Sequence, residues 1–155
     1  MFLSEVLQKN NIIINCQSSN RWDLIDEVLN LAVKNKDILA EDKETVKNIL
    51  VERERTMSTG IGNEVAIPHC KTVKVDKIMA YMAINKKGMN FEAIDNKLVK
   101  IAIFLLVPQN KLAQYIKILA NIAKIMNRED LRAKILSFKT VTSIIKTTKE
   151  FEELK

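Results

Sequence analysis

The chain contains a single histidine, His69, and only two cysteines, Cys16 and Cys70. The cysteines show no C-x-x-C spacing, and with one histidine beside them a zinc site has almost nothing to build with, so no metal is expected. Long hydrophobic runs are also missing. The longest, residues 101–107, falls far short of the roughly 20 residues needed to span a bilayer. The N-terminus, Met1-Phe2-Leu3-Ser4-Glu5, lacks the charged segment and apolar core of a secretory signal. A cytoplasmic location with reduced thiols and no membrane insertion is expected. There is no internal repeat, low-complexity segment or linker. Residues 1–155 are therefore expected to form one domain, long enough to bury a good core.

What is present reads as globular: 47% hydrophobic and 28% charged residues. The formal charge is +6 and the pI about 9.3, which raises the question of nucleic acid. The lysines, however, are scattered singly among Asp and Glu, with no basic cluster interleaved with aromatics. A solvated basic surface is expected, one that also suits steering of an acidic protein partner.

Leu3, Val6 and Leu7 have helical spacing, and β-branched Ile12-Ile13-Ile14 predicts a first strand near 11–16. Ser18-Ser19 offers N-cap hydroxyls before the amphipathic series Trp22, Ile25, Val28-Leu29, Ala32-Val33, a helix expected to run to about Lys36. Asp42 is expected to cap a second helix that carries Val46, Ile49-Leu50 and, at its end, Arg53 and Arg55. Residues 78–84 and 100–107 read as central strands, separated by a turn at Lys86-Lys87-Gly88, with Pro108 ending the second. Three helices follow, the second capped by Asn127 and the third preceded by Thr140. This order predicts an α/β protein, a three-layer α/β/α domain with a central mixed sheet flanked by helices.

The most informative stretch is Ser58-Thr59-Gly60-Ile61-Gly62-Asn63-Glu64-Val65-Ala66-Ile67-Pro68-His69. Its polar, glycine-spaced start suits a turn with positive φ and exposed amides that can meet an anion. Val65-Ala66-Ile67 is long enough for a small buried strand, and Pro68 is expected to stop it and hand His69 to a loop. Hydroxyls, amides and an imidazole placed together suit a histidine nitrogen that accepts a phosphoryl group while donors hold its oxygens. Equally, a lone histidine after a strand can be structural. Cys70 is not expected to act as a nucleophile, because neighbours on an extended segment point apart.

Arg53-Glu54, the Ser58–Gly62 segment and Ala66-Ile67-Pro68-His69 together resemble the phosphorylation-site signature of the enzyme IIA domains of the phosphoenolpyruvate:sugar phosphotransferase system (PTS), fructose/mannitol/nitrogen-regulatory class. Phe91-Glu92-Ala93-Ile94-Asp95-Asn96, leading through Val99 to Leu105-Leu106-Val107-Pro108, resembles the nitrogen-regulatory branch. The resemblance covers nearly the whole chain and implies the same α/β fold.

It also implies that His69 is the phosphoacceptor, through Nε2, and that Arg53, sixteen residues earlier, contacts the phosphate. Ser58 and Thr59 either donate hydroxyl hydrogen bonds to the phosphate or only shape the turn; Gly60, Ile61 and Gly62 form a phosphate-binding loop. No cofactor is implied, because the histidine carries the group. The implied partners are HPr or a nitrogen-branch HPr-like phosphocarrier and, beyond it, an EIIB protein or a regulated target.

Two residues depart from the pattern. Tyr115 stands where many relatives have a second histidine, and a phenol cannot supply an imidazolium. Glu64 stands where a small residue is common, and its carboxylate would oppose a phosphate unless it points away. The expected function is a nitrogen-regulatory-type EIIA phosphocarrier. The alternatives are a fructose/mannitol-type EIIA that passes phosphate to an EIIB cysteine, and a regulatory binding module that takes no phosphate.

Overall fold

The computed structural model describes residues 1–154. A four-residue helix α1 (Leu3–Val6) runs directly into strand β1 (Leu7–Ile13). Helices α2 (Arg21–Lys34) and α3 (Lys43–Thr56) follow, and then three short strands, β2 (Gly60–Gly62), β3 (Val65–Ala66) and β4 (His69–Thr72). The long strands β5 (Met79–Met89) and β6 (Val99–Pro108) come next, with helices α4 (Leu112–Met126), α5 (Glu129–Ser137) and α6 (Val141–Glu152) closing the chain.

The strands form one six-stranded sheet ordered β1-β5-β6-β3-β2, in which β4 also pairs with β6. β5 and β6 are antiparallel, whereas β1 is parallel to β5, and both β3 and β4 are parallel to β6. The sheet is therefore mixed, as expected. On β6 the side chains alternate between two cores: Ile101, Ile103, Leu105 and Val107 join one, while Val99, Ala102, Phe104 and Leu106 join the other. Both faces of β6 are thus buried from Ile101 onward, which is why its sequence is an unbroken apolar run after Lys100. Residues of α4, α5 and α6 pack on the first core and residues of α2 and α3 on the second, giving the three layers.

Several local expectations are corrected. β1 begins at Leu7 rather than near residue 11, pairing Leu7 with Ala80 before an irregularity and then Ile12 with Met82. The N-cap of α2 is Asn20, whose side chain accepts from Asp23 N–H, and the helix stops at Lys34. Ser18 instead donates its hydroxyl to Glu27. Asp42 makes no side-chain cap on α3; it ends a 3-10 turn (Ala40–Asp42) and pairs with Lys74 at 3.1 Å. Lys86-Lys87-Gly88 is an irregularity inside β5, not a turn: the β5–β6 register shifts between Ile84 and Met89. Gly88, at φ +92°, approaches Leu98 so closely that a Cβ there would lie 2.6 Å from Leu98 Cβ. Asn127 is the C-cap of α4, and α5 starts from Arg128 without a side-chain cap. Thr140 caps α6 through Ser143 N–H, as expected.

Candidate functional site

The site lies where β3 gives way to β4. Between β3 and β4, Ile67 and Pro68 break the pairing, but a strand resumes directly after them, which corrects the expected loop. The Pro68 carbonyl accepts from Leu105 N–H at 3.0 Å, so parallel pairing along β6 resumes at His69, opposite Leu105. The proline's missing donor falls at the break, where no ladder partner is needed. His69 is the first residue of β4 and is partly buried; Cys70, next to it, turns inward.

The imidazole folds back on its own strand, with Nδ1 2.6 Å from the Ile67 carbonyl oxygen. A carbonyl oxygen only accepts, so Nδ1 carries the proton and Nε2 keeps its lone pair. Burial pushes the His69 pKa below its ordinary value and the Arg53 charge pushes the same way, against the Ile67 hydrogen bond and Glu54. The imidazole is neutral at neutral pH, with the free lone pair on Nε2.

His69 shares an open cavity of about 440 Å³ with Arg53, Lys71, Gln109 and Tyr115. Arg53 comes from the last turn of α3 and donates to the Met57 carbonyl at 3.0 Å, which steadies the guanidinium at the cavity wall. Tyr115, in the first turn of α4, sets its ring 5.5 Å from the imidazole at 58°. Burial raises the phenol pKa, so it stays a neutral donor. Cys70 also borders the cavity, but burial pushes its thiol up to about 12, which leaves it inert as a nucleophile.

Of the residues singled out by sequence, the cavity brings together His69, Arg53 and Tyr115. It does not bring in Ser58, Thr59, Gly60, Ile61 or Gly62, and the first two have other work. The Ser58 hydroxyl donates to the Phe91 carbonyl at 2.5 Å and accepts from Gly60 N–H at 3.1 Å. Buried Thr59 donates both its hydroxyl (2.7 Å) and its N–H (3.0 Å) to the Glu54 carboxylate. Residues 60–62 form a strand, β2, that pairs with β3. Gly60 packs against Ala93, where a Cβ would meet Ala93 Cβ at 2.6 Å. Here the hydroxyl–glycine segment is a brace, tied to α3 through Glu54 and to the 91–96 loop through Phe91 and Ala93.

Glu64 points away from the cavity. With Asn63 (φ 57°) and Glu64 (φ 66°) both left-handed, the β2–β3 connection has the two positive φ values of a type I′ hairpin. The Glu64 carboxylate pairs with Lys100 at 2.9 Å.

Sequence reasoning named Glu54 only as part of the signature, without a role, and missed Lys71. Glu54 accepts from Thr59 and from Arg21 Nη1 (3.3 Å), and Arg21 Nη2 reaches Glu92 at 2.9 Å. Its place next to Arg53 gives no sign of burial, since exposed and buried carboxylates look alike on a charged helix end. Lys71 was hidden because β4 was not expected; in a strand it shares a face with His69.

The mixed sheet thus presents one neutral imidazole and an arginine at the same open cavity. The chain belongs to the EIIA type 2 family of the phosphoenolpyruvate-dependent sugar phosphotransferase system, whose family description matches residues 5–151. It is a PTS EIIA-family phosphocarrier. It is 26% identical over 142 residues to a nitrogen regulatory protein of Pseudomonas aeruginosa, covering 92% of this chain and 91% of that one. It is 27% identical over 145 residues to the fructose-specific EIIABC component of Bacillus subtilis, covering 94% of this chain but only 22% of that protein's length. Nitrogen regulatory protein IIA-Ntr of Neisseria meningitidis has the same fold, with a TM-score of 0.86 at 23% identity over 94% of this chain and 98% of that one.

Proposed function

We propose that this chain is a nitrogen-regulatory-type EIIA phosphocarrier, working in the cytoplasm, whose His69 Nε2 accepts a phosphoryl group from the phosphohistidine of HPr or an HPr-like carrier. The observation that carries the reading is the 2.6 Å contact between Nδ1 and the Ile67 carbonyl, which leaves Nε2 unprotonated beside Arg53. In the transfer a P–N bond forms at Nε2 as the donor's P–N bond breaks, and the electron pair leaves on the donor nitrogen. Charge that develops on the attacked ring is met by the Ile67 carbonyl at Nδ1–H, and charge on the phosphoryl oxygens by the Arg53 fork. The group then passes to a protein acceptor or changes which target the chain binds. Residues 1–155 act as one domain in this reading, needing neither metal nor organic cofactor.

Transfer to an EIIB cysteine is the second reading, favoured by the relative whose name joins EIIA to B and C components. Incubation of the chain with phosphoenolpyruvate, enzyme I and the HPr-like carrier, read by intact mass, tests the main claim. One acid-labile phosphate is expected on wild type and none on His69→Ala. No phosphate on wild type, or equal labelling of the variant, contradicts it. Onward transfer from the labelled chain to a purified EIIB would favour the second reading.

A further inference from the structure

We propose that Lys71 is a second phosphate-binding cation of this site, contacting the phosphoryl group while it sits on His69 Nε2. This rests on His69 being the phosphoacceptor. Exposure along β4 runs partly buried, buried, exposed, buried from His69 to Thr72. His69 and Lys71 therefore leave the same face of the strand, with Cα atoms roughly 7 Å apart. A lysine's four-carbon stem covers such a gap, and Lys71 lines the same cavity as His69 and Arg53.

The charge distribution gives this placement its meaning. Among the described residues Lys71 pairs with no carboxylate, as holds for most lysines here apart from Lys43, Lys47, Lys74 and Lys100, and it is the lysine that lines the cavity. The nearby acids are turned elsewhere: Glu54 into Thr59 and Arg21, Glu64 onto Lys100. Among the described residues, no carboxylate lines the cavity. A neutral imidazole flanked by two cations is a site with uncompensated positive charge, which a phosphoryl dianion neutralises. One Nη of Arg53 is already held by Met57, and the neighbouring Tyr115 is an uncharged phenol. Lys71 supplies the second charge and transfers no proton in the step.

The test uses the full chain, phosphorylated by phosphoenolpyruvate, enzyme I and the HPr-like carrier, as wild type, Lys71→Gln and Lys71→Arg. A neighbouring cation favours the dianion, so by phosphorus NMR the phosphoryl group of Lys71→Gln should titrate at higher pH than that of wild type. Its phosphorylated fraction at equilibrium with the carrier should fall about tenfold, the scale of one charge-assisted hydrogen bond. Lys71→Arg should behave as wild type in both. An unchanged phosphoryl titration in Lys71→Gln overturns the proposal, even if transfer slows at low salt, because a lysine that only steers the donor alters encounter and not the isolated phosphoprotein. Wild type that takes up no phosphate removes the His69 reading itself, and the proposal with it.

Discussion

Arg53 is the side chain whose loss should hurt transfer most after His69. Arg53→Ala is expected to lower the phosphotransfer rate by about 10²–10³, the cost of losing one preorganised donor at a developing charge. Arg53→Lys should recover only part, because a point charge does not replace a fork; single-turnover transfer from the labelled carrier measures both. The two thiols make the opposite prediction. Burial pushes Cys70 up to about 12 and Cys16 up to about 11, so a thiol-alkylating reagent should leave the native protein unlabelled and modify both once urea unfolds it; rapid native labelling would contradict their burial. At this scale the sequence was informative about three residues that meet at the cavity, His69, Arg53 and Tyr115, and poor on where the others point. His69 and Arg53 stand out as a lone imidazole and a helix-end guanidinium at a set spacing. That Glu54 is buried, that Ser58 bonds Phe91 33 residues away and that Lys71 faces the cavity are consequences of packing between segments, while the Thr59 bond to Glu54, five residues apart, is local.

Among the elements, the brace of residues 58–62 is the one whose failure should reach the site. Glu54→Ala strips the acceptor from buried Thr59 and from Arg21, and should cost about 3–5 kcal/mol, as when one partner of a buried pair is removed. Gly60→Ala drives a methyl into Ala93 at 2.6 Å and should cost about 1–3 kcal/mol by overpacking. Urea denaturation measures both; a loss below about 0.5 kcal/mol in either would mean that the brace is not built as described. Elements read from sequence succeeded where one interaction dominates. β6 is apolar from Ile101 to Pro108 because both its faces are covered there, and its strand is unmistakable. β1 was misplaced because it is an edge strand whose first residues, Gln8, Lys9 and Asn10, are exposed and carry no apolar alternation. The Lys86-Lys87-Gly88 segment has turn chemistry, yet Gly88 serves an irregularity inside β5 at a close approach to Leu98, a use of glycine that local sequence does not distinguish from a turn.

For the molecule as a whole, the sheet fixes His69 in its neutral form, and this links folding to pH. The imidazole titrates near 6.5 when unfolded and lower when folded, because of burial first and Arg53 second. The unfolded chain therefore binds the proton more readily. The stabilising contribution is complete above pH 6.5 and is lost as pH falls through the folded value. The urea midpoint of wild type should decline over that window, and His69→Gln should lack that component; an identical decline in both would assign it to other groups. The layered architecture itself was legible because helical and strand periods are separated along the chain, while the joining of β3 and β4 to one edge of β6 across Pro68 was not, since pairing partners are set by topology. The most direct measurement is nitrogen and phosphorus NMR of the chain with ¹⁵N-labelled imidazole, before and after exposure to the phosphorylated carrier. A protonated Nδ1 and bare Nε2 are expected in the free protein, and the phosphoryl group coupled to Nε2 afterwards. A phosphoryl group on Nδ1, or on any residue other than His69, would contradict it.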